Sequence, residues 1–450
     1  GRCVALLGHL VPVACAAPLC WLLWRRGGER FFWRLFLSAL QSIGPTAVKF
    51  AQWASTRPDL LPSSVCSHLT VLQADVRAHH YNDTVAILTD AFPNWREVLE
   101  VEREPIGSGC IAQVYRGCIR DSPSSPGRPV ALKVRHPQVA EKMELDLLVM
   151  RAGVDALERL FPVARYLAMS EALDHFEAFL RPQADMRIEA DHLEVFSQNF
   201  DYERTGEGLA VRFPKVMRPY VSEAVLVESY EAATPITTLL NAASKGQDSL
   251  VVEGLEGTIT VEACRDVVGK LSMDTFLKML FTDNFVHGDL HPGNMHFRFV
   301  PDGASRKLEL LLFDAGLAVE LSPRDRRNFV ELFHAIAMND GNLVGQLMLE
   351  RSPGHREQVI HEEDFVTGVA KLVTTVRGQG IALGQVRIGN LLEQMLRMAC
   401  DHRVKLETSF VNIAMSIIVV EGVGRQMNPL VDVIVAAKPL LIEAMAQRFW

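Results

Sequence analysis

The spacing of hydrophobic positions changes repeatedly along the chain, and each change predicts a different element. Cys3 to Trp24 carries no formal charge and ends at Arg25 and Arg26, with Trp21 and Trp24 beside the basic flank. Length and flanks predict one membrane span or a targeting segment over residues 1–30, while Pro12, Pro18 and His9 keep a membrane-surface segment or a core-packed helix open. Phe31 to Leu40 reads as a helix interrupted at Gly44-Pro45, and a second helical run covers Ala47 to Pro62. Within that run Lys49, Gln52 and Ser55 or Thr56 recur at helical spacing, the pattern of a solvated face. The approach to residue 103 also reads as helical, which makes 31–103 a helical extension.

The period then shortens. Glu104 to Gly117 reads as strand, turn and strand, with glycines at 107 and 109, and Val130 to Val134 as a further strand. Asp121 to Pro129 between them is a Ser/Pro/Gly loop. Gln183 to Ala190 reads as helical, Val211 to Met217 and Ala224 to Tyr230 as strands, and Glu228 to Ala232 as a hinge. Leu240 to Thr260 has the composition of a surface insertion. Phe276 to Phe285 reads as an apolar helical run, Met295 with Phe297 as a short strand, and Leu308 to Phe313 as a buried strand; Arg324 to Met338 is helical. Val411 to Val420, closed by Glu421, is a core helix by its length. The pattern predicts an α+β fold with two lobes, 104–232 and 233–450.

With 450 residues and 48% hydrophobic content, the chain can bury a large core. A net charge of -8 and a pI near 6.0 give no basic face of the kind that nucleic acid requires. The eight cysteines are dispersed without metal-ligand spacing, which points to free thiols in a reducing compartment.

The candidate chemistry centres on His287-Gly288-Asp289-Leu290-His291-Pro292-Gly293-Asn294. This is H-x-D-x-x-x-x-N, the spacing of a kinase catalytic loop, in which the Asp orients or deprotonates an acceptor hydroxyl and the Asn holds magnesium. Asp314-Ala315-Gly316 follows the apolar strand where a kinase has Asp-Phe-Gly, so Asp314 is the second candidate metal ligand. One β-hairpin separates the two sets and can make them converge. The alternative is that His287 and Asp289 merely cap a turn. Upstream, Gly107, Ser108, Gly109 and Cys110 form a turn whose backbone amides can approach phosphates. Lys133, after Val130-Ala131-Leu132, sits where a kinase has its phosphate-binding lysine. Asp185 and Glu189 fall on one helical face, and Glu189 is the candidate partner of that lysine, an ordinary surface ion pair being the alternative. Glu228, at the hinge, is a candidate nucleotide contact. These residues together predict ATP and Mg2+ as ligands.

Taken together, these segments resemble the UbiB/aarF-domain family of atypical kinase-like proteins over roughly residues 40 to 440. Lys49-Phe50-Ala51-Gln52 is similar to its K-x-G-Q motif, with Ser55 to Pro62 continuing the match. The loop 287–294 is family-specific beyond H-x-D, and Glu421-Gly422-Val423-Gly424-Arg425 resembles its C-terminal E-G-x-x-R stretch. The resemblance implies a two-lobed kinase-like fold whose helical extension packs over the nucleotide site, giving Lys49, Gln52 and Asp185 a regulatory place. It also implies a mitochondrial, inner-membrane-associated protein that supports coenzyme Q biosynthesis and lipid metabolism. Expected partners are ATP, a membrane lipid or quinone precursor, and coenzyme Q biosynthesis proteins. The chain passes from Gly316 directly into the helix at Arg324 without A-P-E, leaving little room for a peptide-binding segment, so ATP hydrolysis or small-molecule phosphorylation is expected over protein phosphorylation. Three departures resemble a mitochondrial branch of the family: Gly107-Ser108-Gly109-Cys110 for an alanine-rich loop, Gln183 for a carboxylate, and Ala315 for phenylalanine. The alternative function is a non-catalytic nucleotide-binding scaffold, which Gln183 and Ala315 favour and the retained Lys133, Asp289, Asn294 and Asp314 oppose.

Overall fold

The computed structural model describes residues 8–446 apart from 10, 14, 19, 21–27, 56–62, 70–77, 121–126, 161–168, 202–208, 304, 353–358, 379–387, 405, 407 and 429–432. Most of the expected N-terminal span, the motif continuation 56–62 and most of the loop 121–129 lie outside these residues. The chain divides into two compact units, 1–190 with 216–230, and 191–215 with 231–450.

In the first unit two helices, α1 (Gly28–Ile43) and α2 (Pro45–Ser55), are separated by Gly44, whose φ of 126° suits glycine and stops the helix where Gly-Pro predicted a break. After α3 (Tyr81–Ala91) the chain enters β1 (Leu99–Ser108), β2 (Ala112–Ile119) and β3 (Arg128–Arg135). The first strand thus starts ahead of the expected Glu104, because Leu99 is buried on the sheet and its pairing with Ile119 extends the ladder. Helices α4 (Val139–Leu160), α5 (Met169–Leu180) and α6 (Met186–Asn199) follow, α6 belonging to this unit up to Ala190. Strands β4 (Val216–Val221) and β5 (Val225–Ser229) complete an antiparallel sheet of order β1-β2-β3-β5-β4.

Strand alternation sorts this sheet into two faces. Val130, Leu132 and Val134 are fully buried with Val225, Val227 and Tyr115 beneath Leu88 of α3 and Trp95. Removing a side chain such as Leu132 would cost about 2–5 kcal/mol. Ala131 and Lys133 take the opposite face. Helix α2 packs on α4 and α5, with Phe50 edge-on to Phe176 at 5.1 Å and Trp53 at 5.5 Å.

The second unit is mainly helical around short sheets. Helix α7 (Val261–Leu277) passes into a π-helical turn, Lys278–Asp283, and Asn284 in the left-handed conformation ends it before β6 (Phe285–His287). The run expected to be helical through Phe285 therefore ends earlier. The π turn carries the buried pair Lys278–Asp283 at 2.7 Å, with the ammonium also donating to the Asn199 carbonyl. Strands β7 (Met295–Asp302) and β8 (Ser305–Leu312) form a regular hairpin, Met295 opposite Leu312, and β9 (Ala318–Glu320) returns to pair with β6. Helix α8 (Pro323–Ala337) starts at once, one residue ahead of the expected Arg324, its Ser322 cap accepting the Asp325 N–H at 3.1 Å.

Toward the C-terminus, α9 (Ile388–Asp401) packs on α10 (Thr408–Met427). By length and composition Phe410–Met427 could cross a bilayer, but 56% of it is buried within the protein, with Ile413 and Ala414 fully so, the core helix that its short apolar run predicted. The buried Glu421 carboxylate accepts the Gly389 N–H at the start of α9 and pairs with Arg425 at 2.7 Å. A Cβ on residue 389 would lie 2.8 Å from that carboxylate, so only glycine admits the contact. The E-G-x-x-R stretch is thus a staple between two core helices.

Replacing Glu421 with Ala should lower stability by about 3 kcal/mol, because Arg425 and the Gly389 N–H lose their buried acceptor. Denaturant unfolding checks this beside Glu393→Ala, which breaks only the exposed pair with Arg397 and should shift stability by less than about 1 kcal/mol.

Candidate functional site

Lys133 is set by its strand. It pairs opposite Leu226 and Val114, on the sheet face away from the Leu132 core. Glu228 opposes Ala131 and shares that face, since directly opposed residues project together. The Lys133 ammonium meets both Glu189 oxygens, at 2.9 and 2.7 Å, with Glu189 only 5% exposed. Two hydrogen bonds fix the ammonium instead of leaving it to sweep the surface, so the surface-pair alternative does not describe this contact.

Asp185 does not share the Glu189 helical face as the spacing suggested. The chain forms a 3-10 turn over Arg181–Ala184, Asp185 is extended, and α6 begins at Met186. Asp185 accepts the Arg187 backbone N–H and its guanidinium, at 2.6 Å at the shortest. The arginine hydrogen bonds outweigh partial burial and hold this carboxyl below its usual range. Gln183 donates to the Phe179 carbonyl at 3.0 Å, a local contact at the end of α5. Lys49 and Gln52 are half-buried on α2 where the spacing alone predicted a solvated face.

Of the expected loop 107–110, Gly107 and Ser108 end β1, paired with Val114 and Gln113, and the turn Gly109-Cys110-Ile111 leads into β2. The Gly109 N–H closes it onto the Ala112 carbonyl at 2.9 Å, and Cys110 is 2% exposed. Beneath it lies a polar group that strand patterning did not announce. His136 Nε2 contacts the Gly109 carbonyl at 2.9 Å, and His136 Nδ1 lies 2.7 Å from His79 Nδ1. Its only sequence signals were Gln113 inside an apolar strand and His136 at the end of another.

In the second unit, the loop 288–294 and the segment 313–317 are clamped by backbone. The Phe313 N–H donates to the Asn294 carbonyl and the Gly288 N–H to the Leu317 carbonyl, each at 2.9 Å. These bonds and the β6–β9 and β7–β8 registers bring Asp289, Asn294 and Asp314 onto adjoining backbone. Asn294 Nδ2 donates to the Asp289 carbonyl at 3.0 Å, which turns its amide oxygen the other way. Asp314 has a φ of 53°, a left-handed conformation that Asp tolerates. His291 Nδ1 accepts the Gly293 N–H at 3.0 Å, with the ring so close that a Cβ on residue 293 would stand 2.6 Å from it.

His287 is fully buried, and burial keeps its imidazole neutral, below its usual pKa. Nδ1 accepts the Asp289 N–H at 3.2 Å while Nε2 faces the Phe313 carbonyl at 3.3 Å. It is therefore an internal strut for Asp289, more than a cap. Ala315 is 1% exposed and its carbonyl accepts from His192 Nδ1 at 2.8 Å, so His192 of α6, which sequence reasoning missed, holds the segment from which Asp314 projects.

A carboxylate and an amide oxygen are the hard donors that magnesium takes, and Asp314 with Asn294 supplies them. Among the described residues no group of three or more His, Cys, Asp or Glu side chains forms a metal cluster, so any cation there would need water or substrate oxygens as well.

A family model for the ABC1 atypical kinase-like domain matches residues 71–348. The chain belongs to the ABC1 atypical kinase-like family. A UbiB helical domain model matches residues 372–432, which include α9 and α10. Among similar proteins, a mitochondrial ABC1 family protein of Saccharomyces cerevisiae is 31% identical across 92% of this chain and 68% of its own length. A mitochondrial ABC1 family protein of Schizosaccharomyces pombe is 29% identical across 92% of this chain and 66% of its own. A protein of Dictyostelium discoideum named a probable serine/threonine-protein kinase is 25% identical across 98% and 68%. A Mycobacterium tuberculosis protein, solved as its erythromycin complex, superposes with a TM-score of 0.52 at 18% identity, covering 94% of this chain and 98% of that one. The architecture is an α+β, kinase-like fold. Lys133, Glu189, Asp289, Asn294 and Asp314 all fall within the ABC1 match, whereas Lys49 and Gln52 precede it.

The two histidines under the glycine turn should make this ABC1 domain acid-sensitive. Burial, then the neighbouring His136, push His79 down to about 4, and burial also lowers His136. Between about pH 6.5 and 4 the unfolded chain takes up protons that the folded chain refuses, so this contribution is complete above about 6.5 and is lost as pH falls. Melting temperature should decline from about pH 7 to 5, and His79→Gln should flatten part of that decline.

Proposed function

We propose that this ABC1 chain is a mitochondrial, ATP- and magnesium-dependent kinase-like enzyme that works as an ATPase or small-molecule kinase. The observation that carries the reading is the backbone clamp from Phe313 to Asn294, because it brings Asp289, Asn294 and Asp314 together without help from exposed side chains. Magnesium, when bound, neutralises charge on nucleotide phosphates; Asp314 and Asn294 are the residues that would hold it. Lys133, fixed by Glu189, binds the phosphates, with the turn 107–110 offering backbone amides and Glu228 a contact at the hinge. Asp289, oriented through the neutral His287, positions the nucleophile. Catalysis of this kind is mostly positioning and electrostatics.

Protein substrates in trans are disfavoured by the tight route after Gly316. That segment is taken up by the β6–β9 pairing and runs directly into α8, leaving no extended platform for a peptide among the described residues. The mitochondrial ABC1 relatives support the compartment. Support for coenzyme Q biosynthesis and lipid metabolism, a lipid or quinone-precursor ligand and inner-membrane attachment through residues 1–30 follow from the UbiB resemblance and the uncharged N-terminal run. In this reading α2, carrying Lys49 and Gln52, and Asp185 regulate access to the nucleotide.

Thermal unfolding with Mg2+ and ADP tests the site. Ligand at about a hundred times its dissociation constant should add roughly 2.7 kcal/mol to the wild type. Asp314→Asn, which keeps a residue tolerant of positive φ, should lose that shift while its unliganded melting temperature stays close to wild type; an equal shift in both would remove Asp314 from the metal site. ATP turnover should rise several-fold on liposomes of anionic inner-membrane-like lipid, and unchanged turnover would sink the membrane role.

A further inference from the structure

The polar group beneath the glycine turn has a fixed direction, set independently from both ends. At one end the His79 backbone N–H, which can only donate, meets Gln113 Oε1 at 2.9 Å. That contact identifies the other Gln113 terminus as the amide NH2, which donates to the His79 carbonyl at 3.3 Å and to the Tyr115 hydroxyl. Tyr115, already accepting, gives its proton to Thr84 Oγ1 at 2.6 Å, and Thr84 gives its own to His79 Nε2 at 2.8 Å. His79 must then carry its proton on Nδ1, which faces His136 Nδ1 at 2.7 Å and makes that nitrogen the acceptor. His136 is left with its proton on Nε2, 2.9 Å from the Gly109 carbonyl. At that far end a carbonyl can only accept, and it demands the same assignment. Thr84, Gln113 and Tyr115 are fully buried, so water does not offer them alternative partners.

We propose that the chain Gln113–Tyr115–Thr84–His79–His136 is a positioning device for the nucleotide loop, forcing His136 to present an Nε2–H to the Gly109 carbonyl. The proposal rests on the reading of residues 107–110 as that loop. Pinning this carbonyl fixes the whole peptide plane, so the Cys110 N–H at its opposite end points away from the histidines. Gly109, the turn residue next to the end of β1, has no Cβ to restrict it and could otherwise adopt many conformations. Both imidazoles must be neutral: a second proton on His136 would set two N–H groups against each other across the 2.7 Å contact, and one on His79 Nε2 would meet the hydroxyl proton that Thr84 gives to that nitrogen. Asp83 on α3 is the carboxylate acting on His79 from outside the chain of hydrogen bonds.

The test uses the full chain and reads two quantities: hydrogen exchange at the Gly109 to Ile111 amides without nucleotide, and Mg·ADP affinity by calorimetry. His136→Phe removes the donor and should speed loop exchange and weaken ADP about tenfold. His136→Gln keeps an N–H donor and should recover most of both. Thr84→Val is nearly isosteric and distant from the loop, yet it frees the His79 tautomer and should give a several-fold change in the same amides. Unchanged loop exchange in the folded His136→Phe and Thr84→Val proteins overturns the proposal. A change with His136→Phe alone also sinks it, since that reduces His136 to a local contact. If His136→Phe fails to fold, Thr84→Val and His136→Gln decide. If the wild type binds no ADP, the nucleotide reading falls, and loop exchange still decides whether the relay positions the turn.

Discussion

The second unit depends on main-chain hydrogen bonding between the loop 288–294 and the segment 313–317. Backbone groups buried without partners are costly, so the Asn294 carbonyl and the Phe313 N–H satisfy one another, as do Gly288 and Leu317. The side chains that carry chemistry then follow from register: Met295 opposite Leu312 fixes where Asn294 ends and Asp314 begins. This explains how Ala315 can stand where a kinase has an aromatic residue. Its position is held by its own carbonyl through His192 and by burial, so no bulky anchor is needed there.

The first unit solves a different problem, that of holding a largely buried cation on the sheet face away from the core. Lys133 lies between neighbouring strands whose other face is the apolar core, so its backbone is immobile; only the long side chain is free to wander. The bidentate approach of Glu189 removes that freedom. Breaking such a pair by deleting one partner is costlier than its net worth, because the remaining charge is stranded at low exposure. The position of the ammonium is therefore set within the unit itself.

Much of this was legible in the sequence because the relevant signals are local. The catalytic-loop spacing, the Val130–Val134 strand, the break at Gly44 and the helix read from Arg324 each depend on residues close together in sequence. Lys133 and Glu189, far apart in sequence, were paired by chemical need, not by pattern. What was not legible depends on long-range satisfaction of polar groups. Asp185 looked like a helical neighbour of Glu189 because spacing does not reveal the 3-10 turn that puts the helix start at Met186. Lys49 and Gln52 looked solvated because periodicity ignores α4 and α5. The Glu421 staple, His192 and the His79–His136 contact each join segments distant in sequence.

The glycine turn shows how the departures from the resembled family fit together. An alanine-rich loop is stiff by itself, since a Cβ removes much of the backbone freedom that glycine keeps. Gly109, past the end of β1, restores that freedom, and under the proposed nucleotide role a turn that must be ordered on each binding event loses affinity to the ordering. The hydrogen bond from His136 acts on this term: it orders the Gly109 peptide before any ligand arrives, using a proton whose location is dictated from a buried strand. The same arrangement explains the placement of Gln113, Thr84 and Tyr115 in an otherwise apolar layer. Buried polar side chains there cost stability unless every donor and acceptor is matched, and matching them all leaves a single orientation for the histidine at the loop.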